Sequence, residues 1–285
     1  MLGKILDGTA LAEKIYKKVA EDVKKLREKG INPCLAVVQV GSVAASNVYV
    51  KKKQEACAKT GLVFRKIGLQ EPISEAKLIG IVDELNNDES VNGIIVQLPL
   101  PKNIDETKIM RTINPMKDAD GFHPTNIGKM FINREFLLPA TPKGVIELLE
   151  GNSVKIEGEE VCVVGRSNVV GKPLAVLFMN RNATVTVCHK LTKDLKAHTI
   201  NADIIAVAVG KPKLITADMV KEGVVVVDIG INRLPNGKLC GDVDFDGVKK
   251  KASLITPVPG GAGPMTVASL LENVVIAAKK QNGVD

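Results

Sequence analysis

The segment that most constrains the fold is residues 161–173, Val-Cys-Val-Val-Gly-Arg-Ser-Asn-Val-Val-Gly-Lys-Pro. Four apolar residues, 161–164, stop at Gly165, and a short turn leads to Gly171. This pattern predicts a buried strand, a tight turn and a helix, as in the first βα unit of a nucleotide-binding domain. The N–H groups of such a turn and helix end suit a phosphate. Because Ser167 stands where the usual GxGxxG motif has its second glycine, the turn also fits an ordinary βα connection.

The chain of 285 residues is long enough for two domains of ordinary size. It has no apolar run approaching the roughly 20 residues of a membrane span, and its first residues have no signal-peptide core. We therefore expect a cytoplasmic protein with no membrane partner. Five cysteines without metal-ligand spacing predict reduced thiols in a cytosol. They are Cys34, Cys57, Cys162, Cys188 and Cys240.

The net charge of +7 has three explanations. Nucleic-acid binding is disfavoured because the chain has no Trp, two Tyr and six Phe, and its lysines are dispersed. An enzyme that handles anionic substrates and cofactors is the preferred interpretation. Solvated lysines on helix faces account for most of the charge whatever the function.

The first half of the chain alternates between strand and helix patterns. Apolar spacings predict helices at 9–29, 42–60 and 74–86, and apolar runs predict strands at 34–40, 62–67 and 91–98. This order is typical of a parallel α/β sheet, whose ligands bind beyond the carboxyl ends of the strands. Gly41, Gln97 and the helix that carries Tyr49 and Lys53 fall at such ends.

The second half begins with a polar segment, 114–128, which is predicted to be a long functional loop. A helix opens at Thr141-Pro142. Strands are then predicted at 160–164, 183–188, 203–208 and 224–228, with helices from Gly171, near 216–222 and, last, to about residue 280.

Lys53 is the first candidate for catalysis, since a partly desolvated lysine can act as an acid or base. Alternatively, Lys51, Lys52 and Lys53 form a solvated run. Gln97 can both donate and accept a hydrogen bond and could hold the Lys53 amine. Tyr49 offers a flat face for a ring, or simple half-buried packing.

Other polar and glycine-rich positions have two interpretations each. Asp118 and Asp120 either bind a cationic or amide group or cap turns. The segment 260–264, Gly-Gly-Ala-Gly-Pro, requires close backbone approach or positive φ, for a ligand or for a structural turn. The histidines share no spacing, so no metal site is expected. They are His123, His189 and His198.

The second βα pair indicates which dinucleotide the chain binds. NAD-binding turns usually place Asp or Glu about 20 residues after the glycine turn, where it bonds the ribose hydroxyl. Here strand 183–188 is followed by His189 and Lys190, with no acid. Together with Arg166, this predicts NADP rather than NAD.

Six motifs, in order and over nearly the whole chain, resemble the bifunctional methylenetetrahydrofolate dehydrogenase/methenyltetrahydrofolate cyclohydrolase family. They are Ala45-Ser-Asn-Val-Tyr-Val-Lys-Lys-Lys53, Gly93-Ile-Ile-Val-Gln-Leu-Pro-Leu-Pro101, Pro115-Met-Lys-Asp-Ala-Asp-Gly-Phe122, Val164-Gly-Arg-Ser-Asn-Val-Val-Gly-Lys-Pro173, Ala183-Thr-Val-Thr-Val-Cys-His189 and Pro259-Gly-Gly-Ala-Gly-Pro-Met-Thr266.

The resemblance implies an α/β protein of two domains. Residues 1–140 with 266–285 would form an N-terminal parallel-sheet catalytic domain that binds folate, and residues 141–265 a Rossmann-like NAD(P)-binding domain. Family members are typically homodimers joined through the nucleotide-binding domains.

The implied activity is oxidation of 5,10-methylenetetrahydrofolate with NADP⁺ and hydrolysis of the methenyl product to 10-formyltetrahydrofolate. This reaction pair belongs to one-carbon metabolism and purine biosynthesis. By resemblance Lys53 is the central catalytic group, Gln97 holds it, Tyr49 orients the folate and Asp120 anchors the pterin amide edge. Further implied substrate contacts are Leu98, Pro99, Gly261 and Pro264. The implied cofactor contacts are Gly165, Arg166, Ser167, Gly171, Lys190 and Ile231.

Three residues depart from the family pattern. Lys190 stands where NADP-using relatives commonly have Ser, although a lysine still holds a phosphate as a point charge. Ala262 replaces a usual Val and Ala140 a common Cys, and both look like packing changes. The remaining alternatives are a dehydrogenase without useful cyclohydrolase activity, one that prefers NAD, and a non-catalytic dinucleotide-binding module.

Overall fold

The computed structural model describes residues 3–41 and 44–284. The chain forms two compact units. Glu13–Ala140 and the residues from Val267 onward form one, which we call the three-stranded unit after its sheet. The described residues up to Ala12 and Thr141–Thr266 form the other, the six-stranded unit. The predicted fold class, α/β with parallel sheets in two domains, is confirmed.

The first ten elements run in the order β1 (Lys4–Ile5), α1 (Gly8–Glu28), β2 (Cys34–Val40), α2 (Ala44–Thr60), β3 (Val63–Leu69), α3 (Glu75–Asn87), β4 (Gly93–Val96), α4 (Glu106–Thr112), α5 (Pro124–Phe131) and α6 (Ala140–Gly151). They are followed by β5 (Glu160–Val164), α7 (Gly171–Met179), β6 (Thr184–Cys188), α8 (Leu195–Thr199), β7 (Ile204–Val207), a 3₁₀ turn (Ala217–Met219), β8 (Val225–Asp228), β9 (Asn232–Arg233), β10 (Leu239–Cys240), α9 (Phe245–Val248), β11 (Leu254–Ile255) and α10 (Ala262–Gln281).

The sheet of the three-stranded unit has the order β3-β2-β4, with both pairings parallel. All seven residues of β2 are buried because β2 is the central strand and apolar side chains cover both its faces. This position explains the unbroken apolar run of residues 34–38. One cluster packs the sheet against α1, α2 and α10, and the other packs it against α3 and α4.

The sheet of the six-stranded unit has the order β1-β11-β8-β7-β5-β6 and is parallel throughout. The chain passes from β5 to β6 on one side and then returns to place β7 on the other side of β5. Such a reversal creates a crevice at the carboxyl ends of β5 and β7, where doubly wound folds bind ligands. The Gly165 turn lies at this point.

The structure differs from the predictions at several places. Residues 1–12 were assigned to the catalytic domain, but β1 pairs with β11 and so belongs to the six-stranded sheet. A strand of two residues is too short to show a period. The predicted loop 114–128 ends in a helix, because α5 starts at Pro124.

One predicted helix also differs. The helix expected near 216–222 is only the 3₁₀ turn, and the short helix α8 was not predicted. The first two residues of the predicted helix 42–60, Ser42 and Val43, lie outside the described residues. Within the described ranges, no helix combines the length and apolar character needed to cross a bilayer.

Candidate active site

Lys53 lies on α2, one helical turn after Tyr49. Its neighbours Lys51 and Lys52 are exposed, whereas Lys53 is only 9% exposed. The Lys53 Nζ donates a hydrogen bond of 3.0 Å to Oε1 of Gln97. Lys53 is therefore a buried amine with a specific partner, and the alternative of a solvated lysine run is wrong for this residue.

Gln97 follows β4 directly, and two hydrogen bonds fix it. Its backbone N–H donates to the carbonyl of Val38 at 2.8 Å, which continues the parallel ladder past the end of β4. Its Nε2 donates to the Leu98 carbonyl at 2.8 Å. Since the amide nitrogen is engaged there, Oε1 is held towards Lys53. Leu98 is half-buried and Pro99 is exposed at the same strand end.

The electrostatics of the site shift the protonation equilibrium of Lys53 away from the charged form. Burial lowers the pKa of Lys53 below its ordinary value, and the nearby charge of Asp120 opposes this shift in part. Burial likewise raises the pKa of Asp120, while Lys53 lowers it. Lysines with a depressed pKa are typical of acid–base sites.

Asp118 organises the loop that carries Asp120. It is 1% exposed, and its carboxylate accepts four hydrogen bonds. The donors are the N–H groups of Gly121 and Phe122 (3.1 Å each) and His123 (2.8 Å), and Nδ2 of Asn126 (2.9 Å). Of its two interpretations, turn capping is therefore the correct one. Asp118 is a structural residue next to the functional candidate Asp120.

The last helix also holds the Asp120 loop. Asn273 on α10 is fully buried, and its Nδ2 donates to the carbonyls of Ala119 at 2.9 Å and Leu138 at 2.8 Å. Ala140 N–H donates to the Asp120 carbonyl at 3.2 Å. Because both sides of Asp120 are bonded to fixed elements, its carboxylate is carried on a rigid support.

Tyr49 is 37% exposed, so one part of its ring is accessible. Lys52 Nζ lies 5.9 Å from the ring centre, a cation–π arrangement. Burial of the remaining part of the Tyr49 side chain raises the pKa of its hydroxyl, which therefore stays protonated at neutral pH.

In the six-stranded unit, Gly165 and Gly171 form a cradle that has no room for side chains. Gly165 has φ +132°, and a Cβ there would lie 2.4 Å from the Ala208 carbonyl oxygen. A Cβ on Gly171 would lie 2.1 Å from the Gly165 carbonyl oxygen. Close approach of backbone is what a dinucleotide phosphate requires.

The Ser167 side chain holds the turn that leads into α7. Its Oγ accepts hydrogen bonds from the N–H groups of Val170 (3.1 Å) and Gly171 (3.4 Å). The hydroxyl thus lies at the N-terminus of α7, the spot at which the sequence predicts a phosphate.

Arg166 and Lys190 follow the carboxyl ends of two neighbouring strands, β5 and β6. In the parallel register of β5 and β6, Val164 pairs with Cys188. Arg166 comes two positions after Val164, and Lys190 comes two positions after Cys188. Both are exposed. The arrangement places two cations beyond adjacent strand ends.

The remaining predicted contacts lie in the six-stranded unit as well. Ile231 follows β8 and is 47% exposed, and its Cδ1 lies 4.0 Å from where a Cβ on Gly263 would be. Gly261 is buried, and a Cβ there would lie 2.6 Å from the Thr256 Cβ. Pro264 is partly exposed in the first turn of α10.

The sequence analysis missed two buried carboxylates, Asp228 and Asp242, which are 3% and 0% exposed. The only signal was the pairing of each with a nearby glycine, in Asp-Ile-Gly230 and Gly241-Asp. Among residues 3–41 and 44–284, no group of three or more His, Cys, Asp or Glu is placed to hold a metal ion.

Comparison with known proteins gives two family models that together cover most of the chain. Residues 6–120 match "Tetrahydrofolate dehydrogenase/cyclohydrolase, catalytic domain", and residues 139–282 match the NAD(P)-binding domain of the same family. The bifunctional protein FolD of Nautilia profundicola is 53% identical over 96% of this chain and 97% of its own.

Two solved structures show the same fold at high similarity. The bifunctional FolD methylenetetrahydrofolate dehydrogenase/cyclohydrolase of Campylobacter jejuni is 50% identical, with a TM-score of 0.96 over 97% of this chain and 99% of that one. The FolD enzyme of Trypanosoma brucei, solved with NADP cofactor and inhibitor, is 37% identical, with a TM-score of 0.94 over 98% of each chain.

Proposed function

Because the chain belongs to the tetrahydrofolate dehydrogenase/cyclohydrolase family, we propose that it oxidises 5,10-methylenetetrahydrofolate with NADP⁺ and hydrolyses the resulting methenyl compound to 10-formyltetrahydrofolate. The observation that carries the proposal at the level of residues is the buried Lys53 amine held by Gln97. A desolvated amine with a lowered pKa can accept a proton during a reaction and release it afterwards.

Lys53 serves the hydrolytic step. Water adds to the methenyl carbon, and Lys53 takes the proton that the water releases. The carbon–N5 bond then breaks, and N5 takes up the proton that the hydroxyl loses as the formyl group forms. One proton leaves to solvent per turnover, through the Lys53 amine.

The other residues of the three-stranded unit position the folate. The accessible face of Tyr49 supports the flat ring system, and Leu98 and Pro99 line the strand end beside Gln97. Asp120, fixed by its loop, accepts hydrogen bonds from the amide edge of the pterin and keeps the Lys53 pKa from falling further.

The six-stranded unit fits NADP. The cradle of Gly165 and Gly171 is packed so closely that a Cβ at either glycine would overlap backbone, which supports a phosphate bound at its N–H groups. Ser167 at the helix end contacts the phosphates, and Arg166 with Lys190 reads the 2′-phosphate. The backbone of Ile231 meets the nicotinamide end. When bound, NADP⁺ supplies the acceptor for the hydride that leaves the methylene carbon, and the protein supplies position.

The test is turnover of 5,10-methylenetetrahydrofolate with NADP⁺ and, in parallel, NAD⁺, followed by absorbance. We expect reduction of NADP⁺ without accumulation of the methenyl compound, and separate hydrolysis of methenyltetrahydrofolate without any dinucleotide. If NADP⁺ is reduced but the methenyl compound accumulates, the proposed cyclohydrolase activity is wrong. Reduction of NAD⁺ alone would overturn the assignment of the phosphate-reading residues.

We further infer a cytoplasmic homodimer with no nucleic-acid partner. The cytoplasmic location rests on the five scattered cysteines of the sequence, which predict reduced thiols. The dimer rests on the family resemblance, and light scattering at micromolar concentration tests it. Binding to DNA or RNA that weakened steeply with salt would contradict the last inference.

A further inference from the structure

The two buried carboxylates to which the proposed function assigns no role, Asp228 and Asp242, lie beneath the loops that follow β7 and β8. Asp228 is the last residue of β8, and Asp242 follows β10. Both are fully enclosed, and in the described part of the chain neither forms an ion pair. A buried carboxylate is costly unless hydrogen bonds satisfy it, so the bonds that it makes indicate what it does.

Asp242 bonds to both loops at once. Its Oδ2 accepts hydrogen bonds from the backbone N–H groups of Val209 (2.7 Å) and Gly210 (2.9 Å), which follow β7. Its Oδ1 accepts from Nδ2 of Asn232 at 2.8 Å, just past β8. A Cβ on Gly230 would lie 2.2 Å from the Asp242 carboxyl carbon, so the carboxylate lies directly against that backbone.

Asp228 holds Asp242 in place. Its Oδ1 accepts from the N–H groups of Gly230 and Asp242, each at 3.0 Å, and its Oδ2 accepts from Val243 at 2.9 Å. Thr256 Oγ1 accepts from the Asp228 N–H at 2.7 Å. The two carboxylates thus form one network that spans the ends of β7, β8 and β11.

Ile231, which is 47% exposed, lies between two residues of this network. Gly230 on one side is bonded to Asp228, and Asn232 on the other is bonded to Asp242. The loops after β7 and β8 border the crevice at the carboxyl end of β5, where the dinucleotide is proposed to lie. The geometry points to Asp242 as a positioning residue, which fixes the backbone of Val209, Gly210 and Ile231 as a preformed surface for the nicotinamide end of NADP. This inference rests on the proposed function.

The test distinguishes an effect on binding of the nicotinamide end of NADP from an effect on the whole enzyme. Asp242→Ala removes three acceptor contacts, and we expect the KM for NADP⁺ to rise about tenfold or more, with a fall in the dehydrogenase kcat. Cyclohydrolase activity needs no dinucleotide and should stay near the wild-type value. NADPH binding, followed by its fluorescence, should weaken, whereas binding of adenosine 2′,5′-bisphosphate, which lacks the nicotinamide, should not.

Asp242→Asn supplies the conservative comparison. Its remaining oxygen can accept from Val209 and Gly210, and its amide nitrogen can donate to Asn232 if the Asn232 amide turns over. We therefore expect the KM of this variant to lie between those of wild type and Asp242→Ala.

Asp203→Ala is the matched control for destabilisation. Asp203 lies in the same unit at the opposite edge of the sheet, where its carboxylate accepts from the Glu160 N–H at 2.9 Å and pairs with Lys221. It should lower the melting temperature without raising the KM for NADP⁺. If Asp242→Ala does not fold, Asn232→Ala removes one contact of the network and should raise the same KM less.

Three outcomes are decisive. A wild-type KM for NADP⁺ in Asp242→Ala or in the fallback variant would overturn the inference. So would equal loss of both activities with unchanged binding of NADPH, because that pattern indicates a general structural role. Failure of the wild type to reduce NADP⁺ would overturn the proposed function itself, which is a distinguishable result.

Discussion

The Lys53 Nζ lies 3.0 Å from Oε1 of Gln97, and the Gln97 amide is in turn anchored by its own Nε2 to the Leu98 carbonyl. The amine therefore has a fixed acceptor, while burial removes the water that would otherwise stabilise its charge. The hydrogen bond and the burial both act on Lys53 Nζ, so the protonation state of this amine is the property to measure.

Lys53→Met should lower the cyclohydrolase rate by about 10²–10⁴-fold, the usual contribution of a general acid or base. Folding and folate binding should be retained, because Met fills a similar volume. Lys51→Met, at an exposed position on the same helix, is the control and should have wild-type activity. A Lys53→Met enzyme that hydrolyses the methenyl compound at the wild-type rate would refute the assignment.

The pH dependence of hydrolysis should respond in opposite directions to two substitutions. Activity that requires the neutral amine rises as Lys53 loses its proton, with a midpoint below the ordinary lysine value of 10.5. The Asp120 charge raises the Lys53 pKa, so Asp120→Asn should move the midpoint to lower pH. Gln97→Glu adds a negative charge at the acceptor and should move it to higher pH. Shifts in the same direction would show that another group controls the profile.

Arg166→Ala and Lys190→Ala should each raise the KM for NADP⁺ about tenfold, the scale of one charge-assisted contact. The KM for NAD⁺, which has no 2′-phosphate, should change little. Lys190→Asp should favour NAD⁺, because an acid at this strand end can bond the free ribose hydroxyl. Lys196→Ala, which removes a surface ion pair with Asp218, serves as the control. Equal losses with both dinucleotides would argue against phosphate recognition.

Gly171→Ala should abolish tight NADP⁺ binding and destabilise the fold by about 1–3 kcal/mol, because its Cβ would overlap the Gly165 carbonyl. Gly128→Ala is the matched control in another helix, α5, where nothing lies within 4 Å of the added carbon. There the change should be neutral or stabilising by up to about 1 kcal/mol. Urea unfolding of both variants, together with NADPH titration, makes the comparison.

Asn273→Ala should destabilise the three-stranded unit by about 2–3 kcal/mol, since it leaves the buried carbonyls of Ala119 and Leu138 without their donor. Cyclohydrolase activity should fall as well, because the loop bearing Asp120 loses its support. Asn282→Ala removes only a bond to the carbonyl of Ala278 in the last turn, and should change neither quantity much. Loss of stability without loss of activity would mean that Asp120 is placed independently of α10.

Sequence analysis was most informative at strand ends, where the same residues indicate both the fold and a candidate site. The apolar run before Gln97 predicts a buried strand, and a polar residue at its carboxyl end is then a site candidate, so the contact between Lys53 and Gln97 could be anticipated. The catalytic roles of these residues stay predictions. The cradle of Gly165 and Gly171 could also be predicted, because glycines in a turn between a strand and a helix indicate close backbone approach or positive φ.

What sequence reasoning missed depends on pairings between distant segments. β1 and β11 have two residues each, and only their mutual contact makes them strands. Asp118 and Asp120 are two positions apart and look equivalent in the sequence, yet one caps a turn and the other lies beside Lys53. The network of Asp228 and Asp242 joins segments 14 residues apart, and neither carboxylate has a pattern that marks it as buried.

The interleaving of the two units has a consequence for biosynthesis. A ribosome makes β1 first, although its partner β11 comes some 250 residues later, and it makes the Asp120 loop long before Asn273. Neither unit can reach its final contacts during the first half of translation. The Lys53 site is completed only when α10 has left the exit tunnel, so a ribosome that stalls before that helix should release a polypeptide with an unfinished and inactive centre.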